Sequence, residues 1–202
     1  MRVTIRTTFR LMLIMAALLA TQAVAHAQQP TAAQRKYVGE FAFDYTYLHS
    51  NAPPGGCGCF NMNGGSVSFA WPLGSGKLSL VGDGTLLQNG SISKDNLNLT
   101  MGAYTAGVRF RPFARTSAFR PFGQVLVGVA HAGGSLVHSQ LNTVSNSGAA
   151  FASNVGGGVD LRVNNRFSLR LAEADYLITT FKNGDNDHQN NFRLSAGVVI
   201  RF

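Results

Sequence analysis

From Arg193 to Phe202 the chain alternates without interruption. Leu194, Ala196, Val198, Ile200 and Phe202 fall on one face of an extended strand, and Arg193, Ser195, Gly197, Val199 and Arg201 on the other. The same period of two recurs upstream. Phe41, Phe43, Tyr45 and Tyr47 oppose Glu40, Ala42, Asp44 and Thr46. Leu78, Leu80 and Leu86 oppose Ser79, Val81, Asp83 and Thr85. Tyr104, Ala106, Val108 and Phe110 oppose Thr105, Gly107, Arg109 and Arg111, and Val125, Val127 and Val129 oppose Gln124, Leu126 and Gly128. The pattern predicts eight strands, over residues 37–49, 66–73, 77–87, 97–111, 122–132, 150–163, 167–180 and 191–202. In the seventh the parity breaks between Arg170 and Asp175, which predicts a bulge near Ala172 to Ala174. No segment between the strands carries a helical period. Long polar connections (50–65, 88–96, 133–149, 181–190) alternate with shorter ones (74–76, 112–119, 164–165). An up-and-down antiparallel barrel produces such an alternation, because each rim collects every second connection.

The N-terminus reads differently. Arg2, Arg6 and Arg10 precede the uncharged run Leu11 to Ala20, and Ala25-His26-Ala27 follows. A basic region, a short apolar core and a small-x-small motif predict a secretory signal peptide over 1–27, with a loose polar leader over 28–36 and the barrel over 37–202. The apolar run is shorter than the roughly 20 residues that a spanning helix needs, and it turns polar at Thr21 and Gln22. The net charge of +8 falls when the three N-terminal arginines are removed. The remaining cations are single and strand-spaced, so a nucleic-acid partner is not expected. Abundant glycine (23) and phenylalanine (14) suit an all-β chain.

Alternation alone does not say which face points outward. A soluble barrel of the lipocalin kind would turn the same apolar face inward around a ligand. Two features favour a membrane barrel. The polar face carries both signs of charge: Glu40, Asp44, Asp83, Asp160 and Asp175 against Arg109, Arg170, Arg193 and Arg201. Inside a closed cylinder these can pair, whereas on a lipid-facing surface charged residues cost up to ~2–4 kcal/mol each at mid-bilayer. Aromatic residues also gather toward strand ends (Tyr45, Tyr47, Trp71, Phe110, Phe122, Tyr176, Phe192, Phe202), as interfacial girdles do. The expected fold is therefore an all-β, eight-stranded antiparallel up-and-down transmembrane barrel.

The C-terminal segment resembles the assembly signal of bacterial outer-membrane barrels, matched at Ser195, Gly197, Ile200 and Phe202. The whole exported chain resembles the small eight-stranded barrels of the OmpA transmembrane-domain type. Further anchors of the resemblance are Pro121-Phe122-Gly123-Gln124 and Gly156-Gly157-Gly158-Val159-Asp160. The resemblance implies a monomer in the outer membrane, with lipids, lipopolysaccharide and the barrel-assembly machinery as partners. It implies no cofactor. Its role would be structural or one of surface interaction through the outer loops. OmpA-like proteins with a peptidoglycan-binding domain after the barrel anchor to the wall; that property is not expected here.

An eight-stranded barrel is just wide enough for side chains to fill it. Asp160 is expected to pair with Arg170 or Arg109, and a solute-permeable pore is not expected. Cys57 and Cys59, in the first outer loop, admit a strained local disulfide, an intermolecular one, or a metal site completed by His49. His131, Ser135, His138 and Ser139 offer raw material for a lipid-modifying enzyme of the lipid A deacylase kind, but the His-x-Ser-Asn arrangement of that family is missing, and no enzyme is expected. Asp185, Asp187 and His188 read as a solvated loop before they read as a cation site. The glycines of residues 156–158 lead into no helix, so they are no dinucleotide fingerprint. Intact-mass and N-terminal sequencing of the protein recovered from cell envelopes should give a chain beginning at Gln28.

Overall fold

A computed structural model describes residues 39–50, 59–74, 76–92, 97–113, 116–135, 147–182 and 187–202. Within them lie eight strands: β1 (Glu40–Ser50), β2 (Phe60–Leu73), β3 (Leu78–Ile92), β4 (Leu97–Phe110), β5 (Phe119–Gly133), β6 (Ser147–Arg162), β7 (Phe167–Thr179) and β8 (Gln189–Arg201). Each pairs antiparallel with its neighbours in sequence, and β8 closes on β1 from Glu40↔Arg201 to Ser50↔Asn191. The closed ladder leaves no sheet edge, and every strand finds backbone partners on both sides. The signal-peptide and leader segments, Cys57, His138, Ser139 and Asp185 lie outside the described residues.

The two faces separate along every strand. In β1, Glu40, Ala42, Asp44, Thr46, Leu48 and Ser50 are buried, while Phe41, Phe43 and Tyr45 are exposed. In β5, Val125, Val127 and Val129 stand outward, each more than half exposed or at half, between the buried Gln124, Leu126 and Ala130. Tyr104, Val108, Phe151, Val155, Tyr176, Leu194 and Val198 continue the outward apolar band around the cylinder. The buried interior, by contrast, holds arginines and carboxylates. This inversion is that of a protein whose solvent is hydrocarbon.

Several boundaries differ from the sequence pattern. β2 begins at Phe60 rather than Ser66, because the start of the ladder is polar on its outward face and shows no hydrophobic alternation. Its side chains are held by neighbours instead: Tyr45 donates to Asn63 Oδ1 at 2.8 Å, and His49 Nδ1 meets Asn61 Oδ1 at 2.6 Å. β3 continues to Ile92, so its connection to β4 shrinks to residues 93–96 and is not long. β5 starts at Phe119, three residues before the predicted Phe122, and carries Pro121 opposite Val159. Phe122 is buried, not part of the outward girdle; it shares the inward parity of Gln124.

The parity break in β7 is a bulge at Leu171 and Ala172, at the leading edge of the predicted stretch. Val159↔Ala172 is followed on β6 by Asp160↔Arg170, and toward β8 the register passes from Arg170↔Gly197 to Glu173↔Ser195. Leu171 and Ala172 both point outward, so Arg170 and Glu173 both point inward. In a regular strand residues three apart face opposite sides. Phe202 closes the seam on the outward side: its ring stacks on Phe41 at 5.6 Å and on Phe69 at 6.4 Å, spanning β8, β1 and β2. Deleting Ala172 leaves one outward residue, Leu171, between Arg170 and Glu173, so the strand becomes regular with both side chains still inward and the pairing to β6 and β8 unbroken. Such a chain should keep its heat-modifiable compact form in gels, and loss of that form would show that the bulge itself, and not only the inward parity it permits, is needed.

Candidate functional site

The candidate site is the lumen, and it has three layers. At the end bearing connections 51–59, 93–96, 134–146 and 180–188 it is apolar. Leu48, Met62, Leu87, Ile92, Leu99, Met101, Leu177 and Phe181 pack there with Ala103, Ala130, Ala132 and Ala152. These residues sit on the inward parity that the sequence pattern assigned to polar side chains. In a cylinder this narrow, side chains that need no hydrogen bonds fill space without any desolvation penalty.

The middle layer is ionic. Arg193 donates through Nε and Nη2 to Asp175 at 2.9 and 2.6 Å, through Nη2 to Glu173 at 3.1 Å, and through Nη1 to Asp83 at 2.9 Å and Thr85 at 2.7 Å. Arg170 reaches Asp160 through Nε at 3.0 Å, and Asp44 and Glu173 through Nη1 at 2.9 and 2.7 Å. Asp160 therefore takes Arg170 and, at 2.9 Å, Arg111. Arg109 instead donates from Nε and Nη2 to Gln124 Oε1, at 2.9 and 2.7 Å, and lies 4.0 Å from Glu173. Gln124 in turn donates to Glu173 at 3.0 Å, so one amide links a guanidinium to a carboxylate.

The third layer lines the rim of the short turns. Glu40 sits among Arg111 at 2.9 Å, Arg120 at 3.1 Å and Arg201 at 3.6 Å. Arg201 also bonds Ser168. Between this layer and the middle lies Phe122. Its ring has Arg109 at 4.3 Å, Arg170 at 4.9 Å and Arg111 at 5.4 Å from the centroid. The negative face of the ring attracts each cation, and the ring's bulk keeps like charges apart.

All nine charged residues singled out from the sequence are buried in this lumen: Glu40, Asp44, Asp83, Arg109, Asp160, Arg170, Asp175, Arg193 and Arg201. Arg111, Arg120, Glu173, Gln124 and Phe122 belong with them and were missed. The sequence holds Arg-Pro-Phe twice, at 111–113 and 120–122, yet the two copies diverge, with Phe113 exposed on a connection and Phe122 buried inside. Glu173 was hidden by the bulge. Of the C-terminal motif, Ser195 meets Thr46 across the β8–β1 seam at 3.0 Å, Ile200 is half-buried and Phe202 is stacked outside. Gly197 has its own reason. A Cβ there would stand 2.1 Å from the carbonyl oxygen of Phe43 and 2.5 Å from Asp44 Oδ1. Gly156 leaves the same kind of room for Asp175, whose Oδ1 a Cβ would meet at 2.1 Å.

The other candidates are dispersed. His131 faces outward on β5. Ser135 accepts from Asn98 N–H at 2.9 Å and returns its own N–H to Asn98 Oδ1 at 3.0 Å. Cys59 is exposed. Among the described residues no cluster of three or more His, Cys, Asp or Glu could hold a metal ion.

An outward apolar band, a buried charge network and a closed eight-stranded ladder define an integral membrane barrel. The chain belongs to the outer membrane protein beta-barrel domain family, whose pattern it matches over residues 13–202. Proteins of that family lie in the bacterial outer membrane, and this barrel lies there with them. The fold is similar to that of Neisserial surface protein A, with TM-score 0.60 and 15% identity over 81% of this chain and 97% of that one. It is also similar to Ail, the attachment invasion locus protein of Yersinia pestis, with TM-score 0.51 and 18% identity over 81% of this chain and 99% of that one. No match was found among curated proteins.

Removing one partner from a buried ionic network leaves the others without compensation. Arg170→Ala leaves Asp44 without its guanidinium and takes one partner each from Asp160 and Glu173, which keep Arg111 and Arg193 respectively. It should lower stability against urea in detergent micelles by about 3–5 kcal/mol. Arg170→Lys should recover only part of that, because an ammonium cannot fork between Asp160 and Asp44.

Proposed function

We propose that this protein is a closed, monomeric, non-enzymatic outer-membrane barrel whose interior is a structural plug and whose function is exercised at its outer loops. The observation that carries the reading is the filling of the lumen. A layer of packed apolar side chains lies above a layer of ion pairs in which Arg109, Arg170 and Arg193 are almost wholly buried. Opening a water path would mean separating these pairs and hydrating the apolar layer at once. Activity is then left to the surfaces: the outward band, which meets lipid, and the long-loop rim, which faces the medium.

Structural or surface-interaction work, in envelope integrity or adhesion, fits such a body. The two structural relatives are named for surface exposure and for attachment, and the likeness of fold is consistent with a similar use of loops. Outer-membrane lipid and lipopolysaccharide would surround the band, and the barrel-assembly machinery would read the strand ending in Ser195, Gly197, Ile200 and Phe202. A lipid-modifying activity finds less support. The hydroxyl of Ser135 is engaged by Asn98, and His131 lies outward on the strand before it.

Reconstituted into planar bilayers, the protein should show no stable conductance steps. Arg193→Ala combined with Met101→Ser, which removes a clamp and wets the apolar layer, should show brief openings. Regular conductance in the unaltered protein, or a folded form that stays in aqueous buffer without detergent, would overturn the reading.

A further inference from the structure

The charges of this barrel are divided unevenly between its two rims. The short-turn rim, which also holds Gly39 and Phe202 paired through their backbones, is the periplasmic one in an outer-membrane barrel of this kind. Its connections are 74–77, 111–118 and 163–166, and in sequence none of them contains an acidic residue. Exposed or half-exposed cations stand on it at Lys77, Arg162 and Arg166. Among the described residues Glu40 is its one carboxylate side chain, and that is already shared by the buried Arg111, Arg120 and Arg201. The mouth inside the rim thus carries more guanidinium than carboxylate, and the turns outside add further positive charge. At the opposite rim the connecting segments hold Lys94 and Lys182 against Asp95, Asp185 and Asp187, so no positive excess arises there.

The surroundings of these cations narrow the choice of partner. Each is followed at once by an exposed apolar residue of the outward band: Lys77 by Leu78, Arg162 by Val163 and Arg166 by Phe167. A cation directly above an apolar girdle lies at the level of lipid headgroups. Arg162 is steadied by bonds to the carbonyl of Thr116, at 3.1 Å, and to Asn165. A soluble polyanion would be served by the charges alone. A molecule that offers a phosphate and an acyl chain together uses both members of each pair.

We propose that the periplasmic rim of this barrel is a ring of headgroup contacts that selects anionic phospholipids, such as phosphatidylglycerol, from the inner leaflet of the outer membrane. The ring gives the barrel an anionic lipid annulus on one side only and fixes its vertical position there. It rests on membrane insertion and not on the loop function proposed above, so each can fail without the other.

Native mass spectrometry of the purified protein from micelles seeded with equal phosphatidylglycerol and phosphatidylethanolamine tests the idea. The unaltered protein should retain the anionic lipid over the zwitterionic one by roughly tenfold. Lys77→Gln with Arg166→Gln should bring the ratio close to one, while heat-modifiable gel mobility stays normal. Lys94→Gln with Lys182→Gln at the opposite rim should leave the preference intact. Equal retention of both lipids by the unaltered protein would overturn the proposal. So would an unchanged preference in the Lys77/Arg166 variant, or binding of inorganic phosphate with no discrimination between the lipids.

Discussion

Buried charge has to be balanced inside a cylinder that water scarcely enters, and the rest of the barrel follows from that. Among the described residues the buried carboxylates Glu40, Asp44, Asp83, Asp160, Glu173 and Asp175 are matched in number by Arg109, Arg111, Arg120, Arg170, Arg193 and Arg201. Each ion taken from water costs several kcal/mol, returned only when geometry and additional hydrogen bonds are good. Arginine suits the task because its planar fork serves more than one acceptor. Arg193 and Arg170 each reach three carboxylates, so strands distant in sequence are tied through the interior as well as through the wall. A buried network is not by itself a source of great stability. It does make one register much better than its neighbours, since a slip of one residue would turn the ions toward lipid.

The backbone is shaped to permit that network. The bulge at Leu171 and Ala172 places Arg170 and Glu173 on the same side, 2.7 Å apart. Gly156 and Gly197 occupy inward positions where a side chain would collide with the neighbouring strand and its aspartate. Phe122 gives three guanidiniums a common aromatic surface. The β7 bulge and these glycines thus lie where the charges are, and a separate register shift in β3, between Asn89 and Ile92, lies at the long-loop end.

Division of the lumen into layers also separates two kinds of work. The apolar layer fills the lumen at the long-loop end, with Ser50, Thr179, Gln189 and Asn191 hydrogen-bonded beside it. The ionic layer fixes register. The basic rim carries charge left over after the ionic layer is balanced, and because that charge is exposed it faces whatever the periplasmic side of the bilayer presents.

Alternation in the sequence was enough to predict the eight strands, because a period of two is a local property and each strand displays it; the antiparallel order came from the connection lengths, and the inverted polarity from the ions of both signs on one face and the aromatics at strand ends. Alternation also placed the parity break of β7 and the inward charges. The extra length of β2, β3 and β5 was not legible, since those extensions are held by cross-strand partners such as Asn61 with His49 and not by a pattern of their own. Nor was the inward site of Phe122, the membership of Arg111, Arg120 and Glu173, or the choice of Arg111 over Arg109 by Asp160. Those depend on which residues meet across a closed cylinder, and only closure, by bringing β1 against β8 and opposite walls within reach of one another, decides them.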